Sequence, residues 1–426
     1  LENGLTIIIV ERPEIPKVSF RLGVNYGQKN DPAGIEGAAE LLADLLKKGT
    51  VNKSYPEIAE TVDFMGGNLE AAVSKDFFFV YGDFLKEFSE EGLQLFSDVV
   101  MNPLLPEDEV EKERRKLLSD IENEKSSPSF LAQRRADKVL FHPHPYSCYK
   151  SPQSLNRITR ETLLQTHRQY FTPGNSVLVI SGHITFAEAE ETVSKYFDGW
   201  ANGENQSVEF PRPKPHGGRK IYLVDRPGSE QSFILIGNIL FDRRNPAFEV
   251  FQVMNQILGG GASGRLFMTL REKKGYTYGA YSNMSVFKES GAWQASAEVR
   301  TEVTGPALET FFEEFDLIRS RPVSVEELKN AKRYLIGVFP LKNETASSIA
   351  SLVLMQKLYS LPDDYWNIYL KKIDRVTSQE VREIALKYMD KKDAAVVVVG
   401  DAVKIEKNLL RFGDVEVYDT DDKRIR

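Results

Sequence analysis

Apolar and polar positions alternate along this chain in short runs that occur in two series. LTIIIVE at residues 5–11 and KIYLVD at residues 220–225 predict strands, and SFRLGV from Ser19 predicts another. Between Gly37 and Thr50, in GAAELLADLLKKGT, the period changes. Ala38, Leu41, Leu42 and Leu45 recur at helical spacing, which predicts an amphipathic helix with Glu40, Ala43, Asp44 and Lys47 on another face. Strand pairs follow in NLEAAVSKDFFFVYGDF and in YTYGAYSNMSVFKESGAWQASAEVR. Two or three helical stretches come next, and each series closes on a strongly apolar strand, VLVIS or AVVVVG.

The two series are copies of one unit. Ile158 to Gly182 aligns without a gap on Val376 to Gly400, an offset of 218 residues that places Tyr170 on Tyr388 and Gly182 on Gly400. The same offset places Glu109–Leu118 on Glu327–Ile336, and SFRLGVNYG near Ser19 matches SFILIGN near Ser232 at a similar spacing. A unit of this size used twice is a domain duplication, since solenoid periods are far shorter. The order of elements predicts two homologous α+β domains, each a mainly antiparallel sheet with helices packed on one face. Residues 201–218, rich in Pro, Gly and polar side chains, read as connecting chain. The domains are expected at 1–208 and 219–426, with residues 209–218 as the linker.

Composition narrows the function classes. Of 426 residues 27% are charged, the net charge is -7 and no basic block is present, which argues against nucleic acid as a main partner. No apolar run reaches the length of a membrane span. Cys148 is the only cysteine, so no intrachain disulfide forms. The chain starts at Leu1 without a methionine, which leans the expected compartment toward the periplasm or another extracytoplasmic site. None of the five histidines is paired on a helix. His142 and His144, in a proline-rich loop, are expected to be solvated.

The helix at Gly37–Thr50 resembles the site helix of the pitrilysin-like (insulinase) zinc peptidases, whose signature is H-x-x-E-H. In register with the trailing Lys48-Gly49-Thr50, the first His position is Glu40, the Glu position is Ala43 and the second His position is Asp44. The resemblance implies a third ligand seven residues beyond the start of a Glu-Arg pair; from Glu113-Arg114 that position is Asp120. Zinc peptidases need neutral imidazoles for the metal and a carboxylate to take a proton from its water. Here the imidazoles are missing, and Ala43 has no proton acceptor. Glu40, Asp44 and Asp120 could form an all-carboxylate trio suited to a hard cation such as calcium if further oxygens joined it. The alternative is a solvated helix face with Asp44 paired to Lys48 at i,i+4.

The second half carries LGGGASGRLFMTLREKKGYTYGAYS, Leu258 to Ser282, which resembles the same family's glycine-rich turn, helix and strand. The resemblance implies that Arg271 and, seven residues on, Tyr278 reach the zinc site of another half-shell, where their N–H and O–H groups suit a developing oxyanion. Read without it, Arg271 is a paired helix-surface residue and Tyr278 a residue of a half-buried strand. The Gly259-Gly260-Gly261 run lacks the endings of phosphate-binding loops. It reads as a tight turn before a helix at Arg265–Lys274, and the resemblance implies substrate contact there. The type implied is the non-zinc subunit of a two-chain metallopeptidase, similar to the alpha subunit of mitochondrial processing peptidase. Such a chain holds no metal itself. Its partners are a homologous H-x-x-E-H subunit carrying zinc and a peptide substrate. A structural or peptide-binding subunit of the same descent is the alternative.

Overall fold

The computed structural model describes residues 1–203, 208–214 and 217–426. Pro215 and His216 of the expected linker lie outside the described residues, as do residues 204–207. The rest of 208–218 forms neither helix nor strand.

Compactness does not follow chain order. One unit gathers Leu1–Ile121, Cys148–Glu209 and Pro340–Asp363; the other gathers Glu122–Ser147, Phe210–Phe339 and Asp364–Arg426. Each half of the sequence thus gives one segment to the unit built mainly from the other half.

The first unit is built on β1 (Thr6–Glu11), β2 (Lys17–Val24), β3 (Asn68–Val73), β4 (Phe78–Leu85) and β5 (Ser176–Gly182), ordered β1-β5-β2-β4-β3. β1 and β5 run parallel, and the other pairs are antiparallel. The second unit repeats the plan with β6 (Lys220–Asp225), β7 (Gln231–Leu240), β8 (Thr277–Val286), β9 (Gly291–Arg300) and β10 (Ala395–Gly400), ordered β6-β10-β7-β9-β8. A sixth strand, β11 (Asp414–Tyr418), adds to β6 at the edge. β6 and β10 are parallel, as β1 and β5 are. Both units are mixed sheets of one topology, and the duplication extends to helix starts. Arg160–Tyr170 and Ser378–Tyr388 are both capped by a threonine one residue earlier, Thr159 and Thr377.

Helices gather on one face of each sheet, as expected. In the first unit Phe20, Leu22, Phe78, Leu178 and Ile180 face them and belong to one buried core. The opposite face is covered as well. Val177, Val179, Phe77 and Phe79 point away from that core and pack on Ala350, Leu354 and Leu358 of the helix Ala346–Leu358. In the second unit Leu235, Val397 and Val399 pack on Leu131, Ala136 and Leu140 of the helix Pro128–Phe141. These two helices start 218 residues apart, so the exchanged segments are themselves copies. Gly23 on β2 leaves room for its cover: a Cβ there would lie 2.6 Å from Leu358 Cδ1 and 3.0 Å from Leu354 Cδ1. Strands buried on both faces need no alternation, which is why AVVVVG is apolar throughout.

Three local expectations are corrected. The helix expected over Gly37–Thr50 is Ala38–Leu45; Gly49, at φ +141°, and Thr50 instead form bridges to Ser54 and Pro103. The helix expected at Arg265–Lys274 winds mainly as a π-helix, Phe267–Lys273. His144 is buried, its Nδ1 accepting from Tyr146 N–H at 3.0 Å and its ring tilted at 43° against that of Tyr146, whereas His142 is exposed. Among the described residues no helix is long and apolar enough to cross a membrane.

Candidate functional site

The helix Ala38–Leu45 is held at its N-terminus by a residue that spacing did not single out. Asp31 accepts from Gly37 N–H at 2.8 Å and Ala39 N–H at 3.0 Å, and Tyr26 Oη–H donates to it at 3.0 Å. Burial pushes the Asp31 carboxyl up to about 7, outweighing these three donors, which favour the charged form.

Along this helix the acidic positions face lysines. Glu40 accepts from Lys150 Nζ at 2.7 Å, and Asp44 accepts from Lys116 Nζ at 3.1 Å. The expected Asp44–Lys48 pair does not form. Lys48 turns to Glu113 at 2.9 Å and Glu109 at 3.4 Å, and Lys116 also meets Glu113 at 3.3 Å. The result is a chain of alternating charges, Asp44, Lys116, Glu113, Lys48 and Glu109. Burial raises the Glu113 carboxyl, but Lys48 and Lys116 outweigh it and hold it below the ordinary range. The hydrogen bond to Asp44 raises the Lys116 ammonium. Ala43 is buried among apolar neighbours. Asp120 is half-buried and makes no hydrogen bond or ion pair among the described residues.

These residues do not fit zinc. The carboxylates at the two His positions already neutralise lysine ammonium groups, and a cation entering there would have to displace them. Position 43 offers no base. Among the described residues no three His, Cys, Asp or Glu are grouped to hold a metal ion, so Glu40, Asp44 and Asp120 do not form the carboxylate trio.

The second unit holds the other expected residues. Its helix Phe248–Leu258 ends at Gly259, which is buried. Gly259 O accepts from Ser282 N–H of β8 at 2.8 Å, and a Cβ on Gly259 would lie 2.6 Å from that nitrogen. The first glycine of the run is therefore fixed by a close backbone approach. Gly260 is exposed and Gly261 half-buried. The chain then enters the π-helix, where Lys274 N–H reaches back to Thr269 O at 3.1 Å and Tyr276 N–H to Leu270 O at 2.9 Å. Isolated π turns of this kind recur at functional sites. Thr269 Oγ1 donates to Glu314 at 2.7 Å and Lys274 Nζ to Thr310 Oγ1 at 2.9 Å, which clamps the segment to the helix Thr304–Ser320.

Arg271 lies inside this π-helix. Its side chain is 46% exposed, its guanidinium lies 4.8 Å from the Phe267 ring centroid, and its one ionic neighbour among the described residues is Glu272 at a loose 3.6 Å. Tyr278 lies where the β8–β9 register shifts between Thr277 and Ala280, an irregularity of the kind that re-aims a side chain. It is 89% exposed, and its hydroxyl makes no hydrogen bond among the described residues. Arg271 and Tyr278 lie on successive elements, the π-helix and β8, and among the described residues no hydrogen bond or ring contact joins them.

Two successive stretches of the chain, the second crossing the expected linker, match M16 peptidase domains. Residues 6–147 match insulinase, peptidase family M16, and residues 157–335 match the peptidase M16 inactive domain. The chain belongs to the M16 (insulinase) peptidase superfamily. An uncharacterized zinc protease of Bacillus subtilis is 25% identical over 82% of this chain and 84% of its own. One of Mycobacterium leprae is 27% identical over 93% and 90%. Among solved structures, a peptidase M16 inactive domain from Pseudomonas fluorescens superposes with a TM-score of 0.86 at 25% identity, covering 94% of this chain and 96% of that one. A Helicobacter pylori protease shares the fold with a TM-score of 0.87 at 19% identity, over 94% and 98%.

Proposed function

We propose that this chain is the non-zinc subunit of a two-chain M16 peptidase, of the type seen in the alpha subunit of mitochondrial processing peptidase. Its partner carries the intact H-x-x-E-H helix and the zinc. The observation that carries this reading is the contrast in how the expected residues are used. Glu40 and Asp44 are tied to lysines within the chain, whereas Arg271 and Tyr278 stand exposed with donors to spare. Arg271 and Tyr278 would donate to a peptide carbonyl oxygen as it takes on charge in the partner's site, in trans. Gly260 and Gly261 would lie along the bound peptide.

The test is reconstitution with an M16 chain that carries H-x-x-E-H. This chain alone is expected to hold no stoichiometric zinc and to hydrolyse no peptide, while the pair does both. Tyr278→Phe removes one hydroxyl from a solvent-facing ring, so assembly and zinc content should stay at wild-type levels while kcat falls. Wild-type turnover by the Tyr278→Phe complex would leave a structural or peptide-holding subunit as the better description.

A further inference from the structure

The turn that carries Arg271 is wound one residue wider than an α-helix. Lys274 N–H reaches Thr269 O at 3.1 Å, and Tyr276 N–H reaches Leu270 O, six residues back, at 2.9 Å. A π turn is an α-helix with one residue inserted, so the residues beyond it stand about 100° further round the axis. Nothing in the segment itself, FMTLREK, forces the wider ring, since it holds neither proline nor glycine.

The two residues that close the π ring are each gripped by the helix Thr304–Ser320. Thr269 supplies the accepting carbonyl, and its Oγ1 donates to Glu314 Oε1 at 2.7 Å. Lys274 supplies the donating N–H, and its Nζ donates to Thr310 Oγ1 at 2.9 Å. The Thr310 hydroxyl gives its own proton to Pro306 O at 2.8 Å, which leaves a lone pair for Lys274. Thr310 and Glu314 are four residues apart and share one helix face. Wound as an α-helix, Thr269 and Lys274 would stand about 140° apart, five steps of 100°. The wider ring brings both onto that one face. Glu314 is buried, and among the described residues its carboxylate has no other hydrogen bond or ion pair. A buried charge therefore depends on one hydroxyl, and losing that hydroxyl costs its full desolvation.

We propose that Thr269 and Glu314 are positioning residues: their hydrogen bond holds the π winding, and the winding sets where Arg271 points. The inference rests on reading Arg271 as a donor to the partner's site and adds what aims it. The ends of the segment are fixed independently. Leu270 is fully buried on one side, and β8 is paired along β9 on the other. A change of winding therefore falls on the residues between them, Arg271 to Gly275, and Gly275 already turns through a left-handed φ of +63°. Arg271, exposed and loosely paired, has nothing else strong enough to hold its direction.

The experiment uses the full chain, alone and reconstituted with an M16 chain that carries H-x-x-E-H. Thr269→Val keeps the side-chain shape and removes the hydroxyl, and Thr269→Ser returns it. In crystals of the chain alone, Thr269→Val is expected to wind as an α-helix, with Tyr276 N–H on Arg271 O, and Thr269→Ser to keep the π turn. In the pair, Thr269→Val is expected to lower kcat by about tenfold to a hundredfold, with KM and zinc content unchanged. Thr269→Ser is expected to stay within about twofold of wild type. Glu314→Leu, which removes the acceptor from the other helix, is expected to match Thr269→Val. Added to Arg271→Ala, Thr269→Val is expected to slow turnover by less than about twofold more, since aim has no effect without the group aimed. A π turn intact in both Thr269→Val and Glu314→Leu overturns the proposal. So does an equal fall in kcat with and without Arg271, which marks a general loss of structure. Full turnover by Thr269→Val beside a slow Arg271→Ala overturns the positioning role and leaves the trans-donor reading standing. Full turnover by Arg271→Ala overturns both.

Discussion

The helix Ala38–Leu45 and the π-helix–strand element from Phe267 to Val286 belong to two copies of one fold, yet they treat charge in opposite ways. In the first, each acidic position on the peptidase signature is matched by a lysine of its own unit, and the neighbouring charges form a closed chain from Asp44 to Glu109. In the second, Arg271 has one loose ionic neighbour and Tyr278 no hydrogen-bond partner among the described residues. Charges that satisfy each other stabilise the chain that carries them. Donors left over are available to something else. The difference separates a site whose charges are spent inside the chain from one whose donors stay exposed.

The sharpest way to break this comparison is Arg271→Ala in the reconstituted pair. If the open donors act on a developing oxyanion, kcat should fall by about two to three decades, ~3–4 kcal/mol in the barrier, with subunit association unchanged. A fall confined to KM would make Arg271 a binding residue only.

The folds must be equally sound for the contrast to rest on the sites. Leu354→Ala, on the exchanged helix covering the first sheet, should destabilise that unit by ~2–5 kcal/mol in urea unfolding. A change below ~1 kcal/mol would mean the helix is not part of that core.

The first unit also carries two opposed titrations. Burial holds the His167 imidazole down at about 4, against an ordinary 6.5, although its Nε2 lies 2.8 Å from the Val100 carbonyl. The unfolded chain takes up that proton first, so the His167 contribution is complete above pH 6.5 and is lost as pH falls toward 4. Asp31 runs the other way. With its carboxyl raised to about 7 from 3.8, its contribution is complete below pH 3.8 and is lost as pH rises through 7. Asp31→Asn should unmask a stability that rises by ~3 kcal/mol from pH 4 to 6.5, and His167→Gln one that falls over the same range. Thermal unfolding across that window, with both slopes unchanged from wild type, would contradict these assignments.

Restoring the signature sharpens the lysine argument. Glu40→His, Ala43→Glu, Asp44→His and Asp120→Glu together should bind zinc at least about tenfold more weakly than the same variant with Lys116→Ala and Lys150→Ala added, because two ammonium groups face the ligand positions. Equal affinity by competition with a chelator would show the lysines to be bystanders. Lys116→Ala alone is the smallest change. Its pair with Asp44 is solvent-facing, so denaturation should show a loss of under ~1 kcal/mol.

Much of this was legible from residues in order. Period 2 and period 3.6 are imposed by backbone geometry, so the strands and most helices are readable locally. The 218-residue offset disclosed the duplication, and the match of helix starts bears it out. The loss of histidine and of a base at positions 40, 43 and 44 is a matter of side-chain chemistry alone. So was the resemblance that singled out Arg271 and Tyr278.

Other features depend on which segments meet. Asp44 chose Lys116 over Lys48 because the long helix Glu107–Ser126 brings a second set of charges against the first helix. Asp31 caps a helix that starts seven residues later, through a loop whose path spacing does not give. His144 is buried because its loop packs on aromatic rings, although its neighbours in sequence are prolines. The exchange of the helices Pro128–Phe141 and Ala346–Leu358 left one local trace, the unbroken apolar run of β10, which signals a strand covered on both sides without naming the cover. The π turn around Arg271 left none, because i→i+5 bonding is set by how Thr269 and Lys274 are clamped to another helix. Periodicity records which face of an element is apolar, and chemistry records what a position can do. Which charges are spent inside the chain and which are left for a partner is decided only when distant segments are brought together.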